Sequence, residues 1–119
     1  MAKEQFDIHN CYVEFVEGKV GKVRPILIMD WATLDSELVY FYKITSQYEE
    51  KSEQIKEMYY PIVKWQEAGL SKASYVDTFS IEALKVDVLV AEASAPQGRL
   101  HDNDIAGFYK FVSKRLNNK

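Results

Sequence analysis

The sequence predicts a small, mainly β fold: five or six short strands curled into a barrel, with one helix packed against it at the C-terminal end. Three observations predict it. Residues 38–45, Leu-Val-Tyr-Phe-Tyr-Lys-Ile-Thr, are almost wholly β-branched and aromatic, the side chains that suit a pleated, half-buried surface. Short apolar runs of the same kind recur along the chain and are broken by Gly, Pro and polar residues. From Asp102 the period changes, and Ile105, Phe108, Tyr109, Val112 and Leu116 fall at helical spacing. Strands followed by a single terminal helix pack as a small barrel with the helix laid on it.

The elements follow in order. Residues 11–16 alternate, with Cys11, Val13 and Phe15 on one face of a strand. Gly18 and Gly21 mark a loop. Arg24-Pro25 opens residues 26–29, Ile-Leu-Ile-Met, a strand buried on both faces with its proline at the tolerated start. Residues 31–37 form a polar connection to the strand at 38–45. Residues 49–57 allow a helical turn or two, but Pro61 breaks a longer helix. A charged loop leading into a strand at 58–63 is therefore expected. Residues 65–69 read as one helical turn ended by Gly69. Residues 74–81 and 86–90 are two further strands, and 93–98, with Pro96, a loop. In the terminal helix Asp102 is placed to cap the start and Lys114 and Arg115 suit its negative end. Gly107 weakens that helix by about 1 kcal/mol relative to Ala.

The 119 residues fit one domain, 1–119. With 47% apolar and 13% aromatic residues the chain fills a core, which excludes wholesale disorder. No apolar run approaches the length needed to span a bilayer, so no membrane association is expected. The start, Met-Ala-Lys-Glu-Gln, lacks the apolar stretch of a signal peptide. A single cysteine, Cys11, makes no internal disulfide, and a reducing, cytoplasmic location is expected. The net charge of -3 gives no support to bulk attraction of nucleic acid. Any such binding needs a local basic patch. Two exist, Lys19 with Lys22 and Arg24, and Lys110 with Lys114 and Arg115; the acidic stretch Glu49, Glu50, Glu53 and Glu57 lies apart from both.

Several chemistries are excluded. His9 and His101 have no metal-ligand spacing with each other or with Cys11. The glycines of residues 18–22 lack the spacing and the Ser/Thr of a phosphate loop, and no nucleophile elbow or dinucleotide fingerprint is present. Cys11, in an apolar strand, reads as core. One constellation remains: Arg24 at one strand start, Thr45 and Ser46 at another strand end, and glycine turns before Arg24. An arginine held at a strand end clamps phosphate through its planar fork, and a nearby hydroxyl orients the same oxygens. The plainer alternatives are a surface salt bridge for Arg24 and a simple β-branched strand residue for Thr45.

The order Gly-x-x-Gly-x-Val-Arg24-Pro25-Ile-Leu-Ile, Ile44-Thr45-Ser46, Trp65-x-x-Ala68-Gly69-Leu70-x-Lys72-x-Ser74-Tyr75-Val76-Asp77 and Gly98-Arg99-Leu100-x-x-x-Asp104 resembles the MazF/PemK growth-inhibitor family, the toxin halves of bacterial toxin–antitoxin pairs. The likeness runs from about Cys11 to Leu116. It implies an SH3-like β-barrel of five to seven strands with a C-terminal helix, a homodimer, and a cognate antitoxin that folds on binding. It implies sequence-specific cleavage of single-stranded RNA with no metal or cofactor, leaving a 2′,3′-cyclic phosphate and a 5′-hydroxyl. The family's active-site arginine falls on Arg24 and its hydroxyl residue on Thr45. Some members use an arginine and an aspartate on a later strand; the aspartate falls on Asp77, while Tyr75 stands at the arginine position.

On that resemblance the 2′-OH attacks the adjacent phosphate. Arg24 stabilises the charge on the phosphate oxygens and hands a proton to the leaving 5′-oxygen, Thr45 holds a non-bridging oxygen, and Asp77 takes the 2′-OH proton. Bases splayed from the strand stack on aromatic rings, for which Tyr48, Tyr75, Trp31 and Trp65 are available. Lys19 and Lys22 would contact the RNA backbone, with Ser46 beside Thr45. The competing expectation is a catalytically inactive SH3-like module that binds RNA or a protein partner, since fold alone does not fix function. A stand-alone structural or interaction protein is the third reading.

Overall fold

A computed structural model describes residues 5–14, 21–31, 38–85 and 97–117. Among these residues six strands, β1 (Asp7–Glu14), β2 (Gly21–Trp31), β3 (Leu38–Thr45), β4 (Tyr59–Pro61), β5 (Tyr75–Lys85) and β6 (Gly98–Arg99), form one sheet in the order β4-β5-β3-β2-β1-β6. All neighbouring pairs are antiparallel. The sheet curls into a partly closed barrel, and the C-terminal helix α2 (Asp102–Asn117) packs on it. The small barrel with a terminal helix is thus the observed architecture.

β2 is covered on both sides, as its unbroken apolar run predicts. Leu27 joins Ile8, Ile44, Val76 and Phe108 of α2 in the main core. Ile26 and Ile28 point the other way, into a second cluster with Cys11, Val39 and Phe41. All three are fully buried, and a side-chain period of two puts neighbours on opposite faces. Cys11 is a buried thiol in that second cluster. Phe108 anchors α2 through edge contacts to Phe6, Tyr42 and Tyr60, and truncating such a residue costs roughly 3–5 kcal/mol.

The structure moves several boundaries. β2 runs through Trp31, which the sequence assigns to the polar connection, and β1 begins earlier, at Asp7. A single helical turn, α1 (Glu53–Lys56), forms because Ser52 accepts the Ile55 N–H at its start. Pro61 then closes the short strand β4. Residues 65–69 do form one turn, closed by the Ala68 N–H to the Lys64 carbonyl, and Gly69 ends it at φ +89°. In α2 the cap comes one residue before Asp102: the His101 ring nitrogen Nδ1 accepts the Asn103 N–H. Arg115 does more than suit the helix dipole, since its guanidinium donates to the Thr78 carbonyl at 3.2 Å and to the Thr78 hydroxyl. β5 continues to Lys85; the strand expected at 86–90, the 93–96 part of the loop and Lys19 lie outside the described residues.

Asp104 holds the turn after β4 to the helix. Its carboxylate accepts the Tyr60 hydroxyl at 2.7 Å and the Val63 and Lys64 N–H groups at 2.9 and 2.7 Å. Arg99 donates to the Gln5 carbonyl and pairs with Asp7. Arg99 and Asp104 of the Gly-Arg-Leu-x-x-x-Asp motif therefore carry structural tasks. No helix among the described residues is long and apolar enough to cross a membrane.

Candidate functional site

The β2–β3 ladder runs from the Trp31–Val39 pair to the Ile26–Lys43 pair. Carried two residues further along each strand, the same register brings Arg24 towards Thr45. There the strands border a cleft of about 270 Å3. Arg24 lines it from β2, Thr45 and Ser46 from the end of β3, and Ser71, Lys72 and Ser74 from the segment that follows Gly69. Among the described residues that line it, none is Asp or Glu. In a chain with net charge -3, the described lining thus carries two cations, Arg24 and Lys72. Cations and hydroxyls without carboxylates form a site for an anion.

Thr45 is oriented for that task. Its Oγ1 accepts the Gln47 N–H at 3.1 Å. A hydroxyl that accepts there keeps its own hydrogen to donate elsewhere. The segment at 70–74 is held at both ends. The Leu70 N–H bonds to the Trp65 carbonyl and the buried Leu70 side chain joins the core. Gln97 Nε2 donates to the Gly69 carbonyl and Ser74 Oγ to the Lys72 carbonyl, each at 2.8 Å. Gly98 makes this closure possible: a Cβ there would stand 2.0 Å from the Ala68 carbonyl oxygen.

Beside the cleft the sheet presents an aromatic and charged row. Tyr75 pairs with Thr45, and Asp77 pairs with Lys43 on one side and Tyr59 on the other. The Tyr48 and Tyr75 rings stack at 4.2 Å, 6° from parallel, and the Lys56 ammonium sits 4.9 Å over the Tyr48 ring. Tyr59 lies tilted against both rings. Burial raises its pKa above the ordinary tyrosine value; the Asp77 charge adds to the rise, Arg24 opposes it and Glu50 contributes further. Tyr59 therefore stays a neutral phenol within the electrostatic reach of Arg24 and Asp77.

The structure thus brings Arg24, Thr45 and Ser46 to one cleft. Tyr48 and Tyr75 stack with each other alongside it. Asp77 does not line it, and its Oδ1 accepts the Phe79 N–H at 2.9 Å. Lys22 belongs to β2. Sequence reasoning passed over Lys72, Ser71, Asn10 and Gln97, all of which line the cleft, and Tyr59. Lys72 stands inside the motif after Gly69, but only the fold shows that this segment faces Arg24. Among the described residues no group of three His, Cys, Asp or Glu side chains is placed to hold a metal ion. Comparison of the chain with models of protein families and with curated proteins finds no match.

Proposed function

We propose that this chain is an endoribonuclease of the MazF/PemK type, a growth-inhibiting toxin that cuts single-stranded RNA at specific sequences, works as a homodimer and is held in check by a cognate antitoxin. The observation that carries the reading is the meeting of Arg24 and Thr45 in one cleft. The motif order described above supplies the family.

In this mechanism the phosphodiester enters the cleft and its own 2′-OH is the nucleophile. The 2′-oxygen forms a bond to phosphorus as the bond from phosphorus to the 5′-oxygen breaks. The products are a 2′,3′-cyclic phosphate and a 5′-hydroxyl. Arg24 stays charged throughout, because guanidinium does not give up its proton in proteins, so it acts by stabilising charge on the phosphate oxygens. Thr45 donates its hydroxyl hydrogen to one of them. Water takes the 2′-OH proton and supplies the 5′-oxygen with one. Preorganised donors of this kind are often the largest catalytic term. A base flanking the cut displaces the Lys56 ammonium from the outer face of Tyr48 and stacks there, a contact of about 1–3 kcal/mol.

One observation favours a second reading, an SH3-like module that binds an anionic strand without cutting it. Among the described residues the cleft's lining offers donors but no carboxylate to act as a base. The two readings separate on RNA with a single 2′-deoxy sugar at a mapped cut site. Cleavage in the all-RNA substrate, its loss at the deoxy position and cyclic-phosphate ends support the nuclease. Intact RNA, or products with 5′-phosphates, sink it.

A further inference from the structure

We infer that Lys56 reads the base that stacks on Tyr48, and that it selects guanine by donating to the O6 and N7 edge. The site is a layered stack. Tyr75 covers one face of the Tyr48 ring at 4.2 Å, 6° from parallel, and the Lys56 ammonium lies over the other at 4.9 Å from its centroid. Tyr75 is fixed in β5, where it pairs with Thr45, and Tyr59 lies tilted against both rings. Lys56 is the layer that yields. Among the described residues the other partner of its ammonium is Glu53 at 3.8 Å, whose side chain is 90% exposed, and water competes for such a pair.

The displaced ammonium stays at the rim of whatever takes its place. Its stem starts from a fixed point: the Lys56 N–H bonds to the Ser52 carbonyl at 2.9 Å, and Ser52 Oγ accepts the Ile55 N–H. The turn after Tyr48 is closed by the Lys51 N–H to the Tyr48 carbonyl at 3.0 Å, so little ordering remains on binding. An ammonium offers donors and no acceptor. Guanine presents the adjacent acceptors O6 and N7 to it, whereas adenine sets an amino group beside its N7. A phosphate is the poorer partner here, because Glu49, Glu50, Glu53 and Glu57 stand in the same stretch of chain and like charges repel. A neutral base edge meets no such repulsion. The stack also adjoins the cleft: Thr45 lines the cleft and is the cross-strand partner of Tyr75, so base and phosphate belong to one strand.

The inference deepens the nuclease reading by naming a base, and it rests on that reading for the identity of the strand. Binding alone measures it. The probes are single-stranded thymidine pentamers with a central deoxyguanosine or deoxyadenosine, which have no 2′-OH and are not cut. Wild-type protein is expected to bind the guanine pentamer roughly tenfold more tightly, the scale of one base-edge contact. Lys56→Met keeps a stem beside the ring and removes the donors, so the preference disappears; Lys56→Arg keeps it. A lysine with a merely structural task would, on substitution, weaken both pentamers and leave their ratio unchanged. Equal binding of the two pentamers by the wild type, or a Lys56→Met variant with the full guanine preference, overturns the inference. Guanosine 5′-monophosphate bound as tightly as the guanine pentamer assigns the site to a free nucleotide and overturns it too. A guanine preference in a protein that leaves mixed-sequence RNA intact keeps the inference and removes the nuclease reading.

Discussion

Oδ1 of Asp77 accepts the backbone N–H of Phe79 at 2.9 Å, and this bond starts the widest irregularity in the sheet. Between the Phe41–Glu82 and Lys43–Asp77 pairs, β3 passes through Tyr42 alone while β5 passes through residues 78–81. The bulge turns Phe79 and Ile81 out to solvent, as an extra segment in one strand does. Asp77 therefore has a structural task that needs only an acceptor oxygen. Asp77→Asn keeps one and is expected to fold and cut within about tenfold of wild type, against the roughly 10²–10⁴-fold loss of a removed general base. Initial rates on a mapped RNA site, with thermal melts alongside, check this. A folded Asp77→Asn variant slowed a thousandfold would make Asp77 the base.

Thr45 is expected to act through its hydroxyl hydrogen, since Gln47 already occupies Oγ1 as an acceptor. Thr45→Val keeps the shape and removes the donor. The cleavage step should slow by about 10²–10³-fold, the loss seen when one such donor is removed, with little change in KM. Thr45→Ser restores most of the rate. Single-turnover kinetics separate the step from binding. A slow variant whose whole deficit lies in KM would make Thr45 a binding residue.

Much of the fold was legible because each element has a local cause. The 38–45 run became β3 with the same bounds, and the change to helical spacing at Asp102 marked α2. What escaped was set by distant partners. Nothing local assigns Arg115 to Thr78; the His101 cap is local but escaped because histidine is not one of the usual N-cap residues. Arg24 and Thr45 were candidates because arginine and a hydroxyl at strand ends suit phosphate and because the motif order resembles a known family; the structure brings both to one cleft. Lys72 was not, because its significance depends on a wall closed by Gly98 and Gln97. Tyr59 was read as part of a strand; its place beside Asp77 comes from register alone.

The Tyr60 hydroxyl, bonded to Asp104, links alkaline stability to one side chain. Burial raises its pKa, and the hydrogen bond and charge of Asp104 raise it further. The folded state thus keeps a proton that the unfolded state releases above about pH 10. Stability from this group is fully present below that pH and declines as pH rises beyond it. Urea midpoints at about pH 8 and pH 10.5 should fall more for wild type than for Tyr60→Phe. The chain has seven other tyrosines, so the difference between the two proteins is the quantity to read. Equal falls contradict the assignment.

Gly107 looks like a weak point in α2, yet a Cβ there would stand 2.6 Å from the Tyr60 hydroxyl oxygen. That oxygen is held by Asp104 and cannot move aside cheaply. Gly107→Ala is expected to lower stability, because overpacking costs about 1–3 kcal/mol against a helix gain of about 1 kcal/mol. Adding Tyr60→Phe removes the crowded atom and recovers part of the loss, so the two substitutions couple by about 0.5–3 kcal/mol. A more stable Gly107→Ala protein would show that the helix term wins.

The central claim is that Arg24 carries phosphate chemistry in a cleft built for anions. Its most direct test is cleavage of a long, mixed-sequence single-stranded RNA in excess EDTA, wild type beside Arg24→Ala, with both shown to be folded. The account predicts cuts at discrete sites by the wild type and none by the variant. A folded Arg24→Ala protein cutting at the wild-type rate, or a wild type that leaves the RNA whole, would contradict it.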